Sequence, residues 1–157
     1  MPADALYAAE DQWSAALDRG GVVDFFGSRL DLPVQRRFGD LDAMQTYAAF
    51  VLGLAPVRAE FPDAGSVRVR VRAGQRKAHY EPDAAVIAIP VAEQWAARES
   101  VLLHELAHHC ACSIDPAAGV RHGGLYRSTM LCLVEAALGG QAALLLRAGY
   151  DFAGVRG

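Results

Sequence analysis

Residues 101–110, VLLHELAHHC, put three histidines and one glutamate inside a run of leucine and alanine. Polar and charged groups are expensive in such a setting unless they are partnered, so a chain that folds this stretch inward needs a use for them. The pattern turns helical at about Ala97 and stays so through about Cys110. Four residues separate His104 from His108, which sets both on one helix face, one turn apart, within reach of a single metal ion. Glu105, next to His104, completes an HExxH pattern. In such sites the carboxylate sits beside the metal, where it takes a proton from the metal-bound water and later gives it to a leaving group. His109 follows His108 directly, projects about 100° away around the helix, and cannot easily join.

Catalytic zinc usually takes three protein ligands and one water, so a third ligand has to come from elsewhere. His122, in RHGGLY, is favoured because its glycines allow close backbone approach. Glu135, where the next long helix is expected, and Asp115, in the intervening loop, remain alternatives. The HExxHxxGxxH/D spacing would need a ligand at position 114, which is isoleucine, so Asp115 fits it poorly. With His122 as ligand, Glu135 and Asp115 become candidates to orient an imidazole. Imidazole donors suit Zn²⁺ best, though iron, cobalt or nickel also bind such sets.

The rest of the chain sets bounds. Its 157 residues suit one domain, 1–157, and 53% hydrophobic against 21% charged residues indicates a folded chain. A net charge of −3 gives no general attraction to nucleic acid or anionic membrane. No apolar run approaches the roughly 20 residues of a membrane span. The start, MPADALYAAEDQW, carries acids where a secretory signal would be basic and then apolar, so a cytoplasmic protein is expected. Cys110, Cys112 and Cys132 form no CxxC pair and read as small buried thiols.

Residues 4–19 read as an amphipathic helix with Leu6, Ala9, Trp13 and Leu17 inward and Glu10, Asp11 and Asp18 largely elsewhere. Strands are expected at 22–26 and 29–34 around a Gly27-Ser28 turn. Asp40 can cap a helix whose inner stripe is Leu41, Met44, Ala48 and Val51. Pro56 and Pro62 bracket an irregular connection. In SVRVRVRAG, valines alternate with Arg68, Arg70 and Arg72, a half-buried strand with one arginine face, which Arg76 and Lys77 extend. With no aromatic residues interleaved, a solvated face is expected there rather than a nucleic-acid surface. Residues 77–81 and 85–89 form a hairpin about Pro82-Asp83, and Pro90 suits an edge strand. A loop holds Asp115, Pro116 and Gly119. A helix at about 125–138 turns Leu125, Thr129, Cys132 and Leu133 inward, Gly139-Gly140 breaks it, and QAALLLRAGY makes the last helix. Helices flanking a small, mainly antiparallel sheet give an α+β fold.

HELAHH (104–109) followed by HGGLY (122–126) resembles the HExxH…HGxxF/Y arrangement of SprT-like zinc metallopeptidases. LYAAEDQW, VDFFGS, RRFGDL, AHYEP, IAIP, LLHELAHH and RHGGLY together resemble a related family of small metallohydrolases from actinobacteria and their phages, over nearly the whole chain. The resemblance implies a compact zincin-like domain with His104, His108 and His122 as zinc ligands and Glu105 as catalytic acid/base. It implies no particular substrate. The chain lacks the paired CxxC motifs of a zinc ribbon, so a role in DNA repair does not carry over. Position 126 is tyrosine where phenylalanine or tryptophan is common. Tyr126 is expected to pack with its hydroxyl satisfied locally; the alternative is an approach to the reacting oxyanion. His79 and Tyr80 border the expected cleft, where an edge strand ending in Pro90 could pair with an extended peptide; they read equally well as hairpin packing. Arg121 reads as a solvated arginine.

The reading is therefore a zinc-dependent hydrolase acting on a peptide or other amide, without nucleic-acid or membrane partners. A zinc-stabilised interaction or regulatory domain is the alternative, but it would not need Glu105.

Overall fold

The computed structural model describes residues 2–73, 77–90 and 94–155. The fold is α+β. In chain order come α1 (Pro2–Arg19), β1 (Gly21–Phe25), β2 (Ser28–Leu32), α2 (Leu41–Gly53), α3 (Ala55–Glu60), β3 (Arg68–Val71), β4 (His79–Glu81), β5 (Val86–Ile89), α4 (Glu99–Ile114), α5 (Pro116–Gly119), α6 (Gly124–Leu138) and α7 (Gly140–Phe152), with a 3₁₀ turn at Gln94–Ala97 leading into α4. No helix among the described residues is long and apolar enough to cross a membrane.

There are two small sheets where one was expected. β1 and β2 form an antiparallel hairpin. The second sheet has the order β3-β5-β4, with β3 parallel and β4 antiparallel to β5. The strand ending before Pro90 is thus central, not an edge. All four residues of β5, VIAI, are buried, because a central strand covered on both faces takes a continuous apolar run. In the first hairpin the turn is Phe26-Gly27, one residue earlier than expected. Both residues have positive φ (51° and 81°), as a tight two-residue hairpin turn requires. Pro56 lies in the first turn of α3 rather than in an irregular segment, since proline there forfeits no hydrogen bond.

α4 is the centre of the molecule. Twelve of its sixteen residues are buried, so it is enclosed nearly all round. Its start is fastened by Glu99, fully buried, whose carboxylate accepts from the Arg36 backbone N–H at 2.8 Å, from the Arg36 guanidinium at 3.0 Å and from the Tyr47 hydroxyl. α1 packs against α7, with the Trp13 indole donating to the Ala142 carbonyl at 3.0 Å. The inward face of α6 is Tyr126, Thr129, Met130, Leu133 and Val134. Leu125 and Cys132 are only half-buried, so the stripe is turned by about one position from that expected.

The arginine strand is short. Val67 and Val69 are buried, as alternation predicts. Arg70 reaches across β5 to make two bonds to the Glu81 carboxylate, at 2.7 and 3.1 Å, and Arg72 donates to the Lys77 carbonyl at 2.6 Å. Arg76 lies outside the described residues.

Candidate metal centre

α4 presents His104, Glu105 and His108, all buried, and the turn between α5 and α6 presents His122, half-buried. The His122 Nε2 lies 3.1 Å from the Nε2 of His104 and 3.1 Å from that of His108. Two nitrogens bound tetrahedrally to one zinc stand about 3.3 Å apart. The three imidazoles therefore converge on one point, and the group can hold a metal ion.

Each helical histidine has its other nitrogen occupied. His104 Nδ1 donates to Glu10 Oε1 at 2.6 Å, and His108 Nδ1 donates to the Gly119 carbonyl at 2.7 Å. A donor on Nδ1 leaves the Nε2 lone pair facing the convergence point, which is how outer hydrogen bonds fix a metal-binding tautomer. The Gly119 contact depends on close packing of α5 on α4. A Cβ at residue 119 would fall 2.6 Å from the Cys112 Cα and 2.8 Å from the Ala111 carbonyl carbon. Gly119→Ala is therefore expected to destabilise the fold by about 1–3 kcal/mol and to weaken metal binding. Chemical denaturation and metal titration of the variant check this; unchanged values for both would refute the packing argument.

Charge is balanced around a cation. Burial opposes charge on His104, but the Glu10 carboxylate and then Glu105 outweigh it and hold the metal-free imidazole up at about 9. Burial, then the neighbouring His104 charge, pushes His108 and His122 down to about 4. A bound divalent ion would supply the positive charge that His104 otherwise carries. Burial pushes Glu105 up to about 7, in the range suited to accepting and returning a proton.

No family model, curated protein or solved structure matches the chain.

The alternative ligands lie elsewhere. Asp115 caps α5, accepting from Ala117 N at 3.1 Å and Ala118 N at 3.2 Å. Glu135 is exposed on α6. Neither orients an imidazole. That role falls to Glu10, which is buried where the helical reading set it apart from the inner stripe. Its carboxylate also accepts from the hydroxyls of Tyr126 at 2.8 Å and Tyr150 at 2.6 Å. A signal was present: position 10 is four residues after Leu6 and three before Trp13, so it belongs to the apolar face.

Tyr126 is fully buried with its hydroxyl on Glu10 and 2.7 Å from His104 Nδ1, the side of the ring away from the convergence point. It packs and is satisfied locally, and the oxyanion alternative is not met. His109 turns away as expected, donating from Nε2 to the Gly65 carbonyl at 2.7 Å and accepting at Nδ1 from the Tyr80 hydroxyl at 2.8 Å. Tyr80 thus braces the helix. His79 is half-exposed beside Glu81, 3.7 Å away. Arg121 is exposed, and the three cysteines are free thiols, only Cys110 being fully buried.

A cavity of about 520 Å³ opens beside His104, lined by Tyr7, Glu10, Lys77, Val101, His104 and Glu105 among others. Tyr7, which the helical reading did not single out, stacks on His104 with ring centroids 5.4 Å apart and meets His122 edge-on at 5.2 Å. The Lys77 ammonium lies 3.7 Å from the centroid of the Tyr7 ring. Glu105 lines the cavity, is only 6% exposed, and makes no hydrogen bond among the described residues.

Proposed function

We propose that this chain is a zinc-dependent hydrolase with a zincin-like fold, related to SprT-like metallopeptidases, that cleaves peptide or other amide bonds. His104, His108 and His122 hold the zinc, and Glu105 is the catalytic acid/base. The observation that carries the reading is Glu105 itself. Its carboxylate makes no hydrogen bond among the described residues and lies on the wall of a cavity, next in sequence to one of three converging imidazoles. A domain that used zinc only to hold its fold would have no need of it.

When bound, zinc supplies a Lewis acid that polarises the scissile carbonyl and lowers the pKa of water toward neutrality. Glu105 takes the proton that the attacking water releases as its oxygen bonds to the carbonyl carbon. It passes that proton to the leaving nitrogen as the C–N bond breaks. Tyr7 and Val101 give the cavity an apolar wall, and the Nδ1 bonds of His104 and His108 keep both rings aimed.

The test is to incubate the zinc-loaded chain with a defined pool of peptides of mixed sequence and read the cleavage products by mass spectrometry. New termini that appear with the native chain and not with Glu105→Gln support the reading. Identical product profiles for the two, across peptides and simple amide esters, would contradict it.

A further inference from the structure

Glu10 is a buried carboxylate that accepts three side-chain hydrogen bonds. Oε1 accepts from His104 at 2.6 Å, and Oε2 accepts from Tyr126 at 2.8 Å and Tyr150 at 2.6 Å. The four residues come from four helices, α1, α4, α6 and α7. Tyr126, Tyr150 and His104 are themselves buried, and a low local dielectric strengthens such bonds.

We infer that Glu10 is the positioning residue of the metal centre, acting through His104 to set its tautomer and ring orientation, so that seating of the first helix and metal binding are one coupled event; this rests on the zinc reading above. A carboxylate behind a ligand imidazole fixes which nitrogen carries the proton and makes the other a better donor. The two tyrosines fix the carboxylate in turn. They leave Oε1 to the imidazole, and they transmit the position of α6 and α7 to it. Of the carboxylates on the HExxH helix, Glu105 makes no hydrogen bond to His104, and Glu99 is taken up by Arg36 and Tyr47. The N-terminal helix therefore completes the site rather than merely packing on it.

A purely structural role for α1 would make any buried polar link between α1 and α4 equally important. Ser14 provides the comparison: its hydroxyl meets that of Ser100 on α4 at 2.7 Å, both buried, with no imidazole involved. Zinc dissociation constants are measured by competition with a chromophoric chelator, on proteins checked for native far-UV circular dichroism. The native chain, Glu10→Gln, Glu10→Asp and Ser14→Ala are compared. Glu10→Gln is expected to bind zinc about 10–100-fold more weakly than the native chain. Glu10→Asp, which keeps the charge, falls between the two, and Ser14→Ala stays within about twofold of native. Should Glu10→Gln not fold, Glu10→Asp against Ser14→Ala carries the same comparison. Native affinity in both Glu10 variants, or a loss in Ser14→Ala as large as theirs, overturns the positioning role while leaving the metal centre standing. A native chain that takes up no zinc overturns both.

Discussion

Replacing Glu105 with glutamine is expected to lower hydrolysis by about 10²–10⁴-fold while zinc stays bound. Glutamine keeps the size and one acceptor of the side chain but cannot take the proton of the attacking water or return it to the leaving nitrogen. Burial that pushes the Glu105 carboxyl up to about 7 makes the native group a suitable base near neutral pH. It makes no hydrogen bond among the described residues, and its charge acts on the site through the neighbouring His104 imidazole. The variant should keep near-native stability, because the substitution removes no hydrogen bond. Initial rates on the most rapidly cleaved peptide, together with zinc content of the same samples, check this. Loss of rate together with loss of zinc would mean that Glu105 serves the metal site structurally. An unchanged rate would remove it from the mechanism.

Zinc is expected to raise the melting temperature by roughly 8–16 °C. Ligands that bind only the folded chain stabilise it by mass action, by about 4 kcal/mol at a free concentration a thousand times Kd. For a domain of this size each kcal/mol moves Tm by about 2–4 °C. The two Nε2–Nε2 distances of 3.1 Å need metal-free imidazoles to be held close together, and His108 and His122 are pushed down toward 4 by burial and by each other's neighbour His104. A metal replaces those two nitrogen–nitrogen contacts with three bonds and displaces the proton that His104 carries without it. Scanning calorimetry of chelator-treated protein, with and without added zinc, measures the shift. His108→Ala should abolish most of it. Equal melting temperatures with and without zinc in the native chain would show that the histidines do not bind it.

The histidine face of α4 was legible because its information is local: a spacing of four on a helix fixes which side chains share a face. His122 was harder, since bringing it to α4 depends on the turn after α5, yet its flanking glycines marked a place where the backbone could come close. Glu10 was missed for a specific reason. Reading helix faces by polarity assigned a carboxylate to solvent, although its position lies on the Leu6–Trp13–Leu17 stripe. Its partners, His104, Tyr126 and Tyr150, are far away in sequence, so no local pattern announces them. The sheet shows the same limit. The hairpin of β4 and β5 was visible from its turn, but insertion of β5 between β4 and β3 is a long-range pairing. The unbroken run VIAI was the one local sign that this strand is covered on both faces. The helix over Ala55–Glu60 was hidden by proline, which punctuates a chain whether it ends an element or begins one.

The most direct measurement is the metal content of protein purified without added metal, for the native chain and His122→Ala side by side. About one zinc per native chain, and much less in the variant, is the expected result for a three-histidine centre. No metal in either protein, even after zinc is supplied, would contradict the centre and the hydrolase built on it.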